Sequence, residues 1–282
     1  MKVIKTIKDM KLASAEARGE GLTVVLVPTM GFLHEGHIEL LNRGREEGHF
    51  LVMSLFVNPT QFGKNEDLDS YPMDIEGDLK KAEEAGVDIV FMPDAGEIYP
   101  EGFQTYVDVT ELSKQLCGAS REGHFRGVAT VVTKLFNIVS PHKAVFGMKD
   151  FQQLTIIKRM VEDMAMDVEI VEEETVREED GLAMSSRNSY LSESQRKAAS
   201  VIPRSLNEAK NAVELGEKDA LKLAKSIKKS IESEAEAVLE YVSITDPHTL
   251  AEVSEISGPA LIALAVKIGP ARLIDNCLVN IK

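Results

Sequence analysis

The chain has 282 residues, 44% of them apolar and 28% charged, with a formal net charge of −14. That length supplies a substantial core in one large domain or two. So acidic a balance argues against binding nucleic acid or an anionic membrane over a broad face, although an anionic small substrate needs only a few local cations.

No apolar run approaches the roughly 20 residues that span a bilayer. The start, Met1-Lys-Val-Ile-Lys-Thr-Ile-Lys-Asp, lacks the apolar stretch of a secretion signal, so a cytoplasmic protein is expected. Cys117 and Cys277 cannot make a disulfide framework and neither lies in a CxxC pair; both are expected to be small buried apolar residues.

In chain order, residues 22–27 (Leu-Thr-Val-Val-Leu-Val) read as a buried strand, 37–47 as a helix and 50–57 as a second strand. A helix over 78–85 ends at Gly86, and a strand over 88–92 stops at Pro93. Apolar residues at 128, 131, 132, 135, 136 and 139 give a helix over 127–139. A short strand at 144–146, a helix over 150–164 and an extended run at 167–171 follow. Strands alternating with helices predict an α/β fold: a doubly wound, Rossmann-like parallel sheet over residues 1–175, with ligands beyond the carboxyl ends of its strands. The pattern then changes. Helices over about 192–213 and 217–236, a strand at 239–245, and extended runs at 260–268 and 271–279 joined by Gly269-Pro270 predict a smaller α+β domain over 176–282, ending in an antiparallel pair. No internal repeat or low-complexity tract is present.

The chemistry starts at residues 28–37, Pro-Thr-Met-Gly-Phe-Leu-His-Glu-Gly-His, between the first strand and its helix. Gly31 and Gly36 have the glycine spacing of a P-loop, but His37 and Ile38 stand where that loop has Lys and Ser or Thr. The stretch is neither GxGxxG nor HExxH. A helix starting near Gly36 would aim free N–H groups and a positive dipole end out of the sheet. His34 and His37 could add donors to phosphate oxygens. A glycine-rich turn with two solvent histidines accounts for the same residues. A metal pair at His-x-x-His lacks an evident third ligand.

Other segments also admit two readings. Asn58 and Pro59 could simply end a strand, and Lys149 could be a solvated residue at a helix start. Ser185 and Ser186 could cap a helix. Adjacent Gln152 and Gln153 cannot share one helix face, so at least one is expected at the surface. The acidic runs 172–174 and 178–180 read as solvated loop charge. His124 and Arg126 stay outside the catalytic set.

The strings "VPTMGFLHEGH" (27–37), "SLFVNPTQF" (54–62), "GHFRGVATVVTKLFNIVSP" (123–141), "VFGMKDFQQL" (145–154) and "TVREEDGLAMSSRNSYLS" (175–192) settle more. Together, in this order and spacing, they closely resemble the pantothenate synthetase (pantoate–β-alanine ligase) family of the HxGH nucleotidyltransferase superfamily. The C-terminal domain agrees in length and layout, with weaker signatures.

The resemblance implies ATP-dependent condensation of (R)-pantoate with β-alanine, through pantoyl-adenylate, giving pantothenate, AMP and pyrophosphate. It implies a catalytic set of His34, His37, Lys149, Ser185, Ser186 and Arg187. ATP contacts would come from Met30, Gly31, Phe32, Leu33, His34, Glu35, Gly36 and His37. Further ATP contacts would come from Gly147, Met148, Lys149 and Asp150, from Val176, and from Met184, Ser185, Ser186 and Arg187 on a mobile loop. Gln61 and Gln153 would clamp pantoate, with Asn58 supporting Gln61 and Met30 and Phe146 offering an apolar wall. It further implies Mg²⁺ carried mainly by phosphate oxygens and water, with no ligand nominated among Asp67, Asp69, Asp74 and Asp78, and a homodimer joined through the N-terminal domain. A plain nucleotidyltransferase, which leaves the nucleotide on its product, and a non-catalytic nucleotide sensor are the alternatives.

Overall fold

The computed structural model describes residues 1–64 and 66–281. In chain order the elements are β1 (Lys2–Ile4), α1 (Ile7–Gly19), β2 (Val24–Thr29), α2 (Glu35–Glu47), β3 (Phe50–Leu55), α3 (Ile75–Glu84), β4 (Ile89–Phe91), α4 (Ala95–Ile98), α5 (Leu116–Ser120), α6 (His124–Val139), β5 (Lys143–Gly147), α7 (Phe151–Asp163) and β6 (Glu169–Glu173). They continue with α8 (Glu193–Ala198), α9 (Val201–Glu214), α10 (Ala220–Glu232), β7 (Ala237–Thr245), β8 (Ala260–Ile268) and β9 (Ala271–Val279). Two compact units result: Met1–Ser113 with Arg121–Met148 and Ile156–Glu174, and Lys114–Ser120 with Lys149–Thr155 and Thr175–Lys282.

The first unit is built on a six-stranded sheet, order β1-β4-β3-β2-β5-β6, whose pairs are all parallel. Val24, Val25, Leu26 and Val27 are fully buried, as central parallel strands covered on both faces require. β1 and α1 had no counterpart among the elements read from sequence. β1 is three residues long and exists through its pairing with β4, far along the chain. Thr6 caps α1 by accepting from the Asp9 N–H. α2 begins at Glu35, two residues before the expected start, because His34 is its N-cap. α6 likewise begins at His124. Glu172 and Glu173 are not loop charge: they end β6, and burial pushes the Glu173 carboxyl above its ordinary range.

The second unit centres on a three-stranded antiparallel sheet, β7-β8-β9, rather than a bare pair. Leu206, Ile227, Ile231, Ile262, Leu264 and Val266 join one core behind it. The expected helix over 192–213 is two helices. Pro203 has no N–H and its ring would clash with the Ala199 carbonyl in a continuous helix; it lies in the first turn of α9, where neither cost arises. Ser192 and Gln195 form a capping box at α8. Glu178 and Asp180 are not simply solvated: Arg196 bonds Glu178 at 2.6 Å and also Asp180, while Glu179 is exposed. Cys277 is half-buried rather than fully buried, and burial pushes its thiol up to about 12. Cys117 is buried as expected.

Candidate active site

In the first unit the carboxyl end of β2 leads into residues 30–33, where the chain turns through positive φ at Gly31 (86°) and Phe32 (52°). Gly31 is needed twice over: its φ suits glycine, and a Cβ would lie 2.9 Å from an Asp78 carboxylate oxygen. Asp78, on α3 and 1% exposed, accepts the N–H of Phe32 at 2.7 Å and of Leu33 at 2.6 Å, one on each oxygen. Lys81 donates to the Leu33 carbonyl at 2.6 Å. One turn of α3 therefore clamps the backbone in front of the histidines. Sequence reasoning passed over Asp78 as a carboxylate without a role, and nothing local reveals a bond spanning forty-five residues.

His34 and His37 stack with ring centroids 4.1 Å apart. The His34 main-chain N–H donates to His37 Nδ1 at 3.3 Å. In the neutral ring this leaves the proton on Nε2, so His37 presents a donor on its other edge. Glu35 and Gly36, the first two residues of α2, supply main-chain N–H groups with no intrahelical acceptor, and the positive end of the helix dipole lies beside the ring. The arrangement suits an anion.

Met30 and Gln61 come together: Gln61 Nε2 lies 3.2 Å from the Met30 sulfur. Asn58 holds the amide from the other side, donating to Gln61 Oε1 at 3.0 Å. Asn58 is 1% exposed; its Oδ1 accepts from the Thr60 hydroxyl (2.9 Å) and the Tyr99 hydroxyl (2.8 Å), and its Nδ2 also reaches the Gly127 carbonyl. Burial raises the Tyr99 phenol, which stays a donor. A side chain at Gly127 would fall inside the Thr60 carbonyl, so α6 can approach the 3₁₀ turn Pro59–Gln61 only through glycine.

His124, excluded from the catalytic set, supports that turn. Arg121 can only donate, so His124 Nε2 accepts from it (2.9 Å) and His124 Nδ1–H donates to the Gln61 carbonyl (2.7 Å). Arg121 also forks onto Glu66 at 2.7 and 2.5 Å. Burial alone would push the Glu66 carboxyl up; the Arg121 pair outweighs it and holds the group below its usual range. Gly147 and Met148 lie where β5 ends, and a Cβ at Gly147 would meet Leu40 alone, at an ordinary 3.8 Å. Phe146 is buried in β5.

The second unit carries the remaining nominated residues. Lys149 is the middle residue of the 3₁₀ turn Met148–Asp150 that precedes α7; its ammonium lies 3.8 Å from Asp150, and its carbonyl accepts from Asn276 on β9 at 2.9 Å. Gln153 is half-buried on α7. Gln152 is the buried glutamine, not a surface one: its Oε1 accepts from the Cys117 N–H and its Nε2 donates to the Gln115 carbonyl. Val176 and Met184 face each other across a hairpin closed by Met184 N–H to Val176 C=O at 3.0 Å. Ser185 caps the 3₁₀ turn Ser186–Tyr190, its hydroxyl accepting from the Arg187 N–H, and Ser186 is buried. The capping reading of Ser185 is thus realised, and it leaves the Arg187 side chain half-exposed. Among the described residues no group of three His, Cys, Asp or Glu is arranged to hold a metal ion.

A parallel α/β sheet with an imidazole pair opening the helix after β2 is here the frame of an ATP-binding ligase. Residues 2–278 match the model of the family described as pantoate-beta-alanine ligase. The pantothenate synthetase of Acetivibrio thermocellus is 55% identical over 281 residues, covering all of both chains. The crystal structure of pantothenate synthetase from Thermus thermophilus matches with a TM-score of 0.92 at 43% identity, over 98% of this chain and 99% of that one. A Francisella tularensis pantoate-beta-alanine ligase, crystallised with beta-gamma ATP and beta-alanine, matches with a TM-score of 0.82 at 32% identity, over 99% and 97%. The chain belongs to the pantoate-beta-alanine ligase family.

Proposed function

We propose that this chain joins (R)-pantoate to β-alanine in two half-reactions, with the residue roles that follow. A pantoate carboxylate oxygen attacks the α-phosphorus of ATP; the bond to the bridging oxygen breaks and pyrophosphate leaves. The β-alanine amine then attacks the acyl carbon of pantoyl-adenylate, AMP departs, and the amine proton passes to solvent. The first step brings two anions together, so it needs donors and cations fixed in place before charge shifts onto the leaving phosphates.

The first unit supplies His34 and His37, the start of α2 and the turn at 30–33. The second supplies Lys149, Asp150, and the 184–187 segment with Arg187. Gln61 is the pantoate amide of the first unit and Gln153 that of the second. Neutral amides bond a carboxylate or hydroxyl without burying a further charge. Mg²⁺ would arrive on ATP, held by phosphate oxygens and water, and would neutralise phosphate charge. This fits the commitment of Asp78 to main-chain N–H groups and of Asp74 to the Gly77 N–H. A homodimer joined through the first unit completes the reading.

The observation that carries the proposal is the paired imidazoles at the start of α2, with the His34 N–H bonded to His37 Nδ1 at 3.3 Å. A neutral ring held in this way carries its proton on Nε2, the edge that would donate to a phosphate oxygen. The test is a product assay with ATP, pantoate and β-alanine. Equimolar AMP, pyrophosphate and amide are expected. His37→Ala is expected to lower pantoate-dependent pyrophosphate release by about 100-fold or more. A product that keeps the adenylate would instead make the protein a plain nucleotidyltransferase, and pyrophosphate release independent of pantoate would refute the ligase reading.

A further inference from the structure

The geometry points to Asn276, with Asp275 and Arg177, as positioning residues that hold Lys149 and the 185–187 turn for adenylation. The inference rests on the roles proposed above for Lys149 and Arg187. All of the contacts lie within the second unit.

Two neighbouring residues of β9 take hold of two separate segments. Asp275, 2% exposed, receives a bidentate pair from Arg177 at 2.7 and 2.9 Å. Arg177 is the residue after Val176 and bridges antiparallel to Ala183, so it belongs to the hairpin that delivers Met184 and the 185–187 turn. The same guanidinium donates to the Gly181 carbonyl at the hairpin tip and to the Asn276 carbonyl. The bond to Asp275 holds Arg177 above its ordinary range, so the clamp stays charged. Asn188 fastens the far side of the turn, donating to the Ala183 carbonyl (3.1 Å) and to Glu178 (2.7 Å).

Asn276 is next along the strand, and successive strand residues point to opposite sides. Its Nδ2 donates to the Lys149 carbonyl. The Lys149 ammonium itself has, among the described residues, only the 3.8 Å approach to Asp150. Its position is therefore set by its main chain, and Asn276 pins that main chain. One strand thereby fixes the spacing between an ammonium and the turn that carries a guanidinium. Burial of a bidentate ion pair is a poor route to stability, since apolar packing does as well; what it provides is register. A displacement of about 1 Å in such a constellation is enough to cost about 100-fold in rate.

The test uses the full-length enzyme. Asn276→Asp keeps the shape and removes the Nδ2–H donor; Asn276→Ala removes the amide. Adenylation is read as pantoate-dependent exchange of labelled pyrophosphate into ATP, and the second half-reaction as pantothenate formation from supplied pantoyl-adenylate and β-alanine. Both variants are expected to lower the adenylation kcat by about 30- to 100-fold, with the KM values for ATP and pantoate within about threefold. The second half-reaction should fall by less than about threefold, and Asn276→Gln, which keeps an amide donor, should recover part of the lost rate. Arg177→Lys, which keeps the charge but loses the fork, should fall in the same direction. A selective adenylation loss of about fivefold or more supports the assignment; a smaller loss, or equal losses in both half-reactions, overturns it. Lys149→Ala, assayed alongside, separates the two levels. If Lys149→Ala is inactive while Asn276→Asp is near normal, the positioning role alone fails. If Lys149→Ala is itself near normal, the role of Lys149 fails and this inference falls with it.

Discussion

Asp78 and Gln61 separate two kinds of residue around the histidine signature. Gln61 is legible in sequence because it sits in a distinctive string at a strand end. Asp78 is not, because its partners are main-chain N–H groups that any residue carries. Both carboxylate oxygens of Asp78 are used, each by a different N–H. Asp78→Asn offers one acceptor and turns an NH₂ toward the other donor. A buried N–H left unsatisfied costs about 1–3 kcal/mol. A melting temperature lowered by several degrees is therefore expected by calorimetry, together with a weaker ATP affinity as the turn at 30–33 loosens. An unchanged melt would show that the clamp is dispensable. Gln61→Ala acts differently. Its amide is held by Asn58 and Met30 without bearing on the core. Its loss is expected to weaken pantoate binding by about 10- to 100-fold while ATP binding stays within about twofold by titration calorimetry. Equal losses for both ligands would remove Gln61 from the pantoate contact.

At the scale of elements, β2, β3, β5 and the β8–β9 pair were legible because continuous apolar runs and the Gly269-Pro270 turn mark them directly. β1 and the split between α8 and α9 were missed for opposite reasons. β1 draws its stability from a distant partner, whereas the split follows from a local rule, Pro203, that the apolar periodicity concealed. The roles of His142 and Gln152 were equally invisible, since each bonds main-chain groups remote in sequence. His142 stands where β5 joins the sheet. Its Nδ1 accepts the Val24 N–H at 2.9 Å, while its own N–H and C=O bond Val24 and Glu169. Burial, aided by the charge of Arg18, holds its pKa below 6.5. The neutral ring is the one that fits the fold. Its contribution is complete above the unfolded value of about 6.5 and declines as pH falls from there toward the lowered folded value. Urea midpoints are expected to drop between about pH 7 and pH 5 more steeply in the wild type than in His142→Gln, which can accept without titrating. Parallel slopes for the two proteins would clear His142 of that role.

At the scale of the whole molecule, the acidity of the chain and the apolar character of one surface group pull against each other. Two copies at −14 each repel, so association must come from contacts that desolvate well. Residues 103–109 belong to no helix or sheet, and Val107 donates its N–H to the Thr130 hydroxyl. Along this segment Phe103 and Tyr106 meet edge to face at 5.4 Å. Arg126 lies 4.1 Å from the centre of the Tyr106 ring, and Lys134 lies 4.7 Å from that of Phe103. Tyr106 is 43% exposed. An exposed aromatic stacked on arginine is the composition that dominates binding energy at protein interfaces, and main chain outside a sheet can add hydrogen bonds. This group is where the proposed homodimer would join. Light scattering is expected to give twice the 31.0 kDa chain mass at micromolar concentration. Added salt should tighten the association by screening the repulsion. Tyr106→Glu, which places further negative charge in the contact, should shift the equilibrium to monomer by about 10-fold or more while leaving the far-ultraviolet dichroism unchanged. A wild-type monomer would refute the dimer, and a dimer indifferent to Tyr106→Glu would move the contact elsewhere on the molecule.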